Sequence, residues 1–307
     1  MYKQFFGLTR NPFEISPDPF FYHPTPRHNE ALANLRYGVG RRRGFIVITG
    51  EVGTGKTLLV RCLLSELRKN SIAFGYVFNP LLPVVEFFQY IMADFGLPYA
   101  GRTKAEMLLD LNRYLIQRHA RGLITALVVD EAQALRHELL EEIRLLTNLE
   151  TSQQKLLQIV LMGQPELEVM LDSPELRQLK QRVALRCQLQ RLDDQQTRSY
   201  VLSRLERAGA APGPPIFSNE SLEKICEYSQ GIPRIINTLC ENSMVNAFAR
   251  EQRPVTAEMV TEVAADLRLT PPSLPEETQV PLAAREDNGE GMLRSLFRLL
   301  RTMITKP

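Results

Sequence analysis

Apolar runs of β type recur at 45–49, 72–78, 123–129, 156–162 and 184–189. Between them lie helical patterns at 56–68, 84–95, 104–119 and 138–149. Strands alternating with helices predict a parallel five-stranded sheet covered on both faces. In such a sheet ligands bind beyond the carboxyl ends of the strands.

From about residue 193 the pattern changes. Asp193-Asp194 caps a helix to about 208, which the turn Pro212-Gly-Pro-Pro215 closes. Ser218 caps a helix to about 229, Gly231-Ile-Pro233 breaks the chain, and a third helix reaches about 249. Thr256 caps a last one to about 267. The expected fold class is therefore α/β with a small all-helical lid. The chain divides into an amino-terminal segment and helix at 1–44, an α/β core at 45–191 and a lid at 192–268. A Pro-rich acidic linker follows at 269–291, then a basic amphipathic helix at 292–306. No internal repeat is evident.

In that last helix Met292, Leu293, Leu296, Phe297, Leu299, Leu300, Met303 and Ile304 share one arc of about 160°. Arg294, Arg298 and Arg301 lie opposite, with no acid in the stretch. Its reach of about 22 Å falls short of a hydrocarbon core of about 30 Å, so it lies on a surface and does not cross one. The surface is an anionic membrane, a partner protein or the chain's own domain.

With 307 residues, 44% hydrophobic and 23% charged, the chain has the composition of a soluble globular protein. A net charge of +2 predicts no strong overall attraction to nucleic acid. The cations are unevenly spread, with seven Lys or Arg against three acids through Gly50 and a tight cluster at Arg41-Arg42-Arg43. That cluster reads as a solvated turn, or as a contact for phosphate or acidic lipid. Cys62, Cys187, Cys226 and Cys240 form no CxxC pair and read as small buried residues. His23, His28, His119 and His137 lack metal-ligand spacing. With no signal sequence and no run of eighteen apolar residues, the expected location is the cytoplasm.

The chemistry concentrates after the first strand. Gly50-Glu51-Val52-Gly53-Thr54-Gly55-Lys56-Thr57, followed by Leu58, is a strand–GxxxxGK[ST]–helix phosphate loop. Its glycines let backbone N–H groups curl inward at a polyphosphate, and the helix start adds partial positive charge. Lys56 reaches the β- and γ-phosphates of a nucleotide such as ATP, and the Thr57 hydroxyl ligates Mg²⁺. The second half of the site follows the apolar run 123–129, which leads into Asp130-Glu131. A carboxylate at the tip of a strand beside the loop holds Mg²⁺, and the next acid polarises water. Asp130 is thus the Mg²⁺ residue and Glu131 the general base.

An α/β core with a helical lid and these motifs resembles the AAA+ ATPases. That resemblance implies a γ-phosphate-sensing polar residue at Gln164, after the strand Leu157–Met162. It implies an arginine finger acting on a neighbouring subunit of a homo-oligomer; of Arg177, Arg182 and Arg186, Arg182 fits best. It also implies a lid sensor at Arg234, in Gly231-Ile-Pro-Arg234. The amino-terminal residues narrow the match: Tyr2-Lys-Gln-Phe-Phe-Gly-Leu8, Asn11-Pro-Phe13, Pro17-Asp-Pro-Phe-Phe-Tyr22 and His28-Asn-Glu-Ala-Leu-Ala-Asn-Leu35. With Val129-Asp-Glu-Ala-Gln133 and Gly163-Gln-Pro-Glu-Leu167, they are similar to the GspA/ExeA-type secretion ATPases across about residues 1–268. A more distant likeness runs to the TniB/Mu-type transposition helpers.

The resemblance implies ATP hydrolysis coupled to assembly of a secretion or polysaccharide-export envelope system. The expected location is the cytoplasm, or peripherally the inner face of the cytoplasmic membrane through 292–306. A DNA-associated ATPase and a slow nucleotide-gated switch are the alternatives. In these families the segment before the first strand lies near the adenine, so Phe13, Tyr22 or the 28–37 helix lines that pocket or packs as ordinary core. The named secretion ATPases continue into a transmembrane helix and a peptidoglycan-binding region; here the linker and basic helix follow instead, which weakens the wall-crossing expectation.

Overall fold

The computed structural model describes residues 2–69 and 72–270. The expected terminal helix at 292–306, and the linker from 271 onward, lie outside the described residues.

Two helices, α1 (Tyr2–Phe5) and α2 (Pro26–Gly40), precede the first strand. The α/β part then runs β1 (Phe45–Gly50), α3 (Lys56–Lys69), β2 (Ala73–Val77), α4 (Val84–Asp94), α5 (Lys104–Ala120) and β3 (Thr125–Val129). It continues through α6 (His137–Leu146), β4 (Leu157–Gly163), α7 (Glu166–Leu171), α8 (Arg177–Lys180) and β5 (Leu185–Leu189). Four helices complete the described chain: α9 (Asp194–Arg207), α10 (Asn219–Ser229), α11 (Pro233–Ala249) and α12 (Ala257–Asp266). The capping residues read from the sequence do cap: Asp193, Ser218 and Thr256 each accept from a backbone N–H of the first turn.

All five strands are parallel, in the order β2-β3-β4-β1-β5. Alternation along β1 sends Phe45 and Val47 to one face and Ile46 and Ile48 to the other. The first face packs on α4 to α8 through residues such as Phe87, Ile91, Met107, Leu111 and Ile143. The second packs on α2 and α3 through Leu32, Leu35, Leu59 and Leu63. This is the two-sided burial that near-continuous apolar strands require.

The strand carrying Asp130 is not the neighbour of β1, because β4 lies between them. The chain order reverses at β1, so the tips of β1, β4 and β3 stand side by side, and Gln164 falls between the phosphate loop and the acids.

The amino-terminal segment divides its packing. Helix α2 joins the sheet core, whereas Phe6, Leu8, Phe13 and Phe21 join a separate core with Tyr200, Val201, Phe217 and Ile236 of the helical part. Phe13 is fully buried there, edge-on to Phe217 at 6.1 Å between ring centroids. It packs and does not line the nucleotide pocket.

Candidate nucleotide site

A cleft of about 380 Å³ opens over the carboxyl ends of the strands. The phosphate loop and start of α3 line one side through Val52, Gly53, Gly55, Lys56, Thr57 and Leu58. Glu131, the loop 14–18 and residues of α9 and α11 complete it. Its dimensions suit a small polar ligand with an apolar portion.

Gly50 ends β1, and the chain then curls through Glu51 and Val52 into two glycines of positive φ, Gly53 (+81°) and Gly55 (+100°). A side chain at Gly53 would stand 2.8 Å from Arg234 Cβ, so the loop and the head of α11 touch only because that residue is glycine. The Arg234 N–H donates to Gly53 O at 3.2 Å, which fixes the start of α11 against the loop.

Lys56 is buried, and its ammonium donates to Gly50 O (2.6 Å) and Glu51 O (3.0 Å) across the loop. Burial pushes its pKa down; the carboxylates of Glu131 and Asp130 pull it back up. Burial likewise raises Asp130, offset by hydrogen bonds from the Glu131 N–H and the Tyr76 hydroxyl. The Thr57 hydroxyl stands 3.4 Å from Asp130 Oδ2. Two hard oxygen donors facing each other at the loop's edge fit Mg²⁺, which keeps most of its shell for phosphate and water. Among the described residues no cluster of three or more His, Cys, Asp or Glu could hold a metal alone.

Glu131 takes a left-handed backbone conformation, φ 50° and ψ 37°, uncommon for a residue that is not glycine, and found at sites where function fixes geometry. Its Oε2 accepts from Gln133 Nε2 at 2.7 Å and from Gln164 Nε2 at 3.3 Å. Gln133 Oε1 in turn accepts from the Gln164 N–H at 3.0 Å. The structure thus brings Lys56, Thr57, Asp130, Glu131, Gln164 and Arg234 together. Glu51 contributes only its carbonyl to the loop.

Arg182 is turned inward. Its Nη1 donates to Thr147 Oγ1, Asn148 Oδ1 and Arg144 O at the end of α6 in its own chain. Arg186 pairs with Glu168 at 2.6 Å, and Arg177 is exposed. The basic cluster at 41–43 also divides: Arg42 donates to Gly122 O and Leu123 O, and Arg43 to Tyr37.

Several site residues were not foreseen. Tyr76 donates to Asp130 Oδ2 at 3.0 Å from the neighbouring strand. Arg204 is only 4% exposed, donates to Pro12 O and, at 2.7 Å, to Tyr200 Oη, and lines the cleft. The Tyr200 hydroxyl in turn donates to Asn237 Oδ1 at 2.9 Å. The signal existed: Arg204 interrupts the stripe Thr197, Tyr200, Val201, Leu205 on the buried face of α9. His28 lies beneath the loop, its Nε2 at 2.9 Å from Thr54 O.

Comparison with known proteins places this geometry. Residues 39–171 match the model of an AAA domain. The chain is 46% identical over 251 residues to "General secretion pathway protein A" of Aeromonas hydrophila, a match that covers 81% of this chain and 45% of that protein. The chain therefore spans less than half the length of that relative. Among solved structures it is similar to Cdc6p of Pyrobaculum aerophilum, with TM-score 0.63 and 20% identity over 81% of this chain and 70% of that one. The RuvB branch migration motor of Thermotoga maritima follows at TM-score 0.54 and 16% identity, covering 84% and 74%. At such identities these two establish the shared fold alone. An AAA domain and a secretion-type relative are what the sequence motifs led one to expect.

Proposed function

We propose that this chain, which carries an AAA domain and is related to a secretion-pathway protein, binds ATP with Mg²⁺ and hydrolyses it. The observation that carries the reading is the convergence of two halves of one site: the Lys56–Thr57 loop on one side, and Asp130, Glu131 and Gln164 on the other. Backbone N–H groups of the loop and the Lys56 ammonium would take the phosphates. Thr57 and Asp130 would hold Mg²⁺, which supplies neutralisation of the charge developing on the transferred phosphoryl group. Glu131, held by two amides, is the base for the attacking water, with Gln164 beside it to orient that water.

In the same reading Arg234 reports lid position to the phosphates, and Arg182 acts on a neighbouring subunit of a homo-oligomer. The division into core (45–191) and lid (192–268) is the mechanical counterpart, since α9 and α11 line the same cleft as the loop. The name of the related protein, a general secretion pathway protein, supports a link to secretion; the finer role proposed is assembly of an envelope secretion or export system from the cytoplasmic side. Among the described residues no helix is long and apolar enough to cross a membrane. The segment 292–306 is the proposed contact with an anionic membrane or a partner.

The test is phosphate release by the purified chain with ATP, with and without Mg²⁺, alongside ATP affinity. Metal-dependent release supports the reading. Tight binding without turnover would reduce it to a nucleotide-gated switch, and the absence of both would overturn it.

A further inference from the structure

The Thr54 carbonyl of the loop is held by a residue from outside the loop. His28 sits in the first turn of α2, where Thr25 caps the helix and Pro26 fills the first position. That placement buries the imidazole against the phosphate loop, with Nε2 2.9 Å from Thr54 O and Nδ1 2.6 Å from Thr25 Oγ1. A carbonyl only accepts, so the proton of the first bond belongs to Nε2. Nδ1 then carries a lone pair, and the Thr25 hydroxyl donates to it. Thr25 Oγ1 in turn accepts from the His28 N–H at 3.2 Å, so every polar atom of the pair is satisfied by one tautomer.

The consequence lies in the next peptide. In a planar trans peptide the C=O and the N–H point in opposite directions. Holding Thr54 O down toward α2 therefore turns the Gly55 N–H the other way, to the side where Gly55, Lys56 and Thr57 line the cleft. The Gly55 N–H makes no hydrogen bond among the described residues, which is what a donor reserved for a ligand looks like. The position itself calls for glycine: φ is +100°, and an added Cβ would stand 3.2 Å from His28 Nε2.

We propose that His28, in its neutral Nε2–H form, is a positioning residue for nucleotide binding, which aims the Gly55 N–H at the ligand's phosphates by anchoring Thr54 O. The inference rests on the nucleotide-binding reading and adds to it a residue contributed by the segment that precedes the first strand. It makes the amino-terminal segment part of the binding machinery without any contact between that residue and the ligand.

The test compares the full chain with His28→Gln, His28→Asn and His28→Ala, reading ATP affinity in the presence of Mg²⁺ and the melting temperature without nucleotide. A glutamine side chain places its amide N–H the same number of bonds from Cα as Nε2 of histidine, whereas asparagine is one bond short. The expected result is a loss of about tenfold in ATP affinity for Ala and Asn, the size of one ordinary hydrogen bond, with Gln restored to near wild type. Equal affinities for Gln and Asn, whatever their melting temperatures, would show that His28 only fills space. Wild-type affinity in the Ala variant would also overturn the inference. Should His28→Ala fail to fold, the Gln and Asn pair decides. If the wild-type chain itself does not bind ATP, the nucleotide reading fails first, and this inference goes with it.

Discussion

Gln164 Nε2 and Glu131 Oε2 stand 3.3 Å apart, although 33 residues separate them in sequence and they come from different strand tips. The pairing follows from β4 lying directly between β1 and β3, so the residue after β4 meets the acid after β3. Gln133 Nε2 donates to the same oxygen at 2.7 Å. A carboxylate held by two amide donors is fixed in direction, and the longer bond is the weaker of the two.

Lys56→Ala and Glu131→Gln should fail differently. In the proposed site Lys56 would cradle phosphates in the ground state, so its removal should abolish ATP binding. In the proposed site Glu131 would act on the water, so its amide should bind ATP normally and lose about 10²–10⁴ in turnover. Affinity and phosphate release measured on both variants check the assignment. A Glu131→Gln variant that hydrolyses at the wild-type rate would move the base elsewhere.

Gln164→Ala should lower turnover with ATP affinity little changed, because the side chain reaches Glu131 and not the loop. Gln164→Asn is the informative companion. It keeps the amide but shortens it, and should resemble Ala if reach to Glu131 matters. Single-turnover rates at saturating ATP separate this from a binding defect, and a variant altered only in affinity would refute the role.

The sheet, its helices and the phosphate loop were legible because each rests on local pattern: β-type apolar runs, i to i+4 stripes, and glycines at fixed offsets. Asp193, Ser218 and Thr256 capped as read for the same reason. What stayed hidden depends on which elements become neighbours. Strand order put β4 between the loop and the acids, which no local pattern encodes. His28 shows neither metal-ligand spacing nor a partner in sequence, since its acceptor is a backbone carbonyl 26 residues away. Arg204 could have been flagged, because a cation in a buried stripe needs an explanation. Its acceptor, Pro12 O, lies 192 residues off.

Arg204→Ala should destabilise the chain by about 2–3 kcal/mol, the usual range for losing hydrogen bonds to a charged group. The guanidinium fastens Pro12 O to α9 and lies over the Phe21 ring at 4.7 Å, so its loss frees the amino-terminal segment from the helical part. Arg204→Lys retains charge but not the fork, and should recover only part of the loss. Urea unfolding curves of the three proteins decide it. A change within 0.5 kcal/mol, the scale of an ordinary surface substitution, would contradict the strapping role.

Arg182→Ala should lower hydrolysis while ATP affinity holds, and mixing with Lys56→Ala subunits should restore activity. A residue acting in trans can complete an intact pocket on its neighbour, whereas one acting only through Thr147 and Asn148 of its own chain cannot. Phosphate release across mixing ratios, with oligomers confirmed by light scattering, tells the two apart. Absence of rescue at every ratio would leave Arg182 as a clamp on the end of α6.

Stability should fall as the pH drops below about 6.5. His23 and His28 are both held below the ordinary imidazole value of 6.5, chiefly by burial, and at His23 the Arg207 charge adds to the effect. Between their folded values and 6.5 the unfolded chain binds more protons than the folded one, so acid shifts the balance toward unfolding. The contribution is complete above 6.5 and is lost on descending through that window. Asp130, raised by burial, works in the opposite sense: it loses stability as pH rises through the acid range, so the absolute curve mixes signs. The difference between wild type and His28→Gln removes that complication, because both carry Asp130. Melting temperatures at pH 7.5 and 5.5 should drop more for the wild type than for His28→Gln, which has no imidazole to protonate at that position. Parallel drops in the two proteins would mean that His28 is not a source of the acid sensitivity.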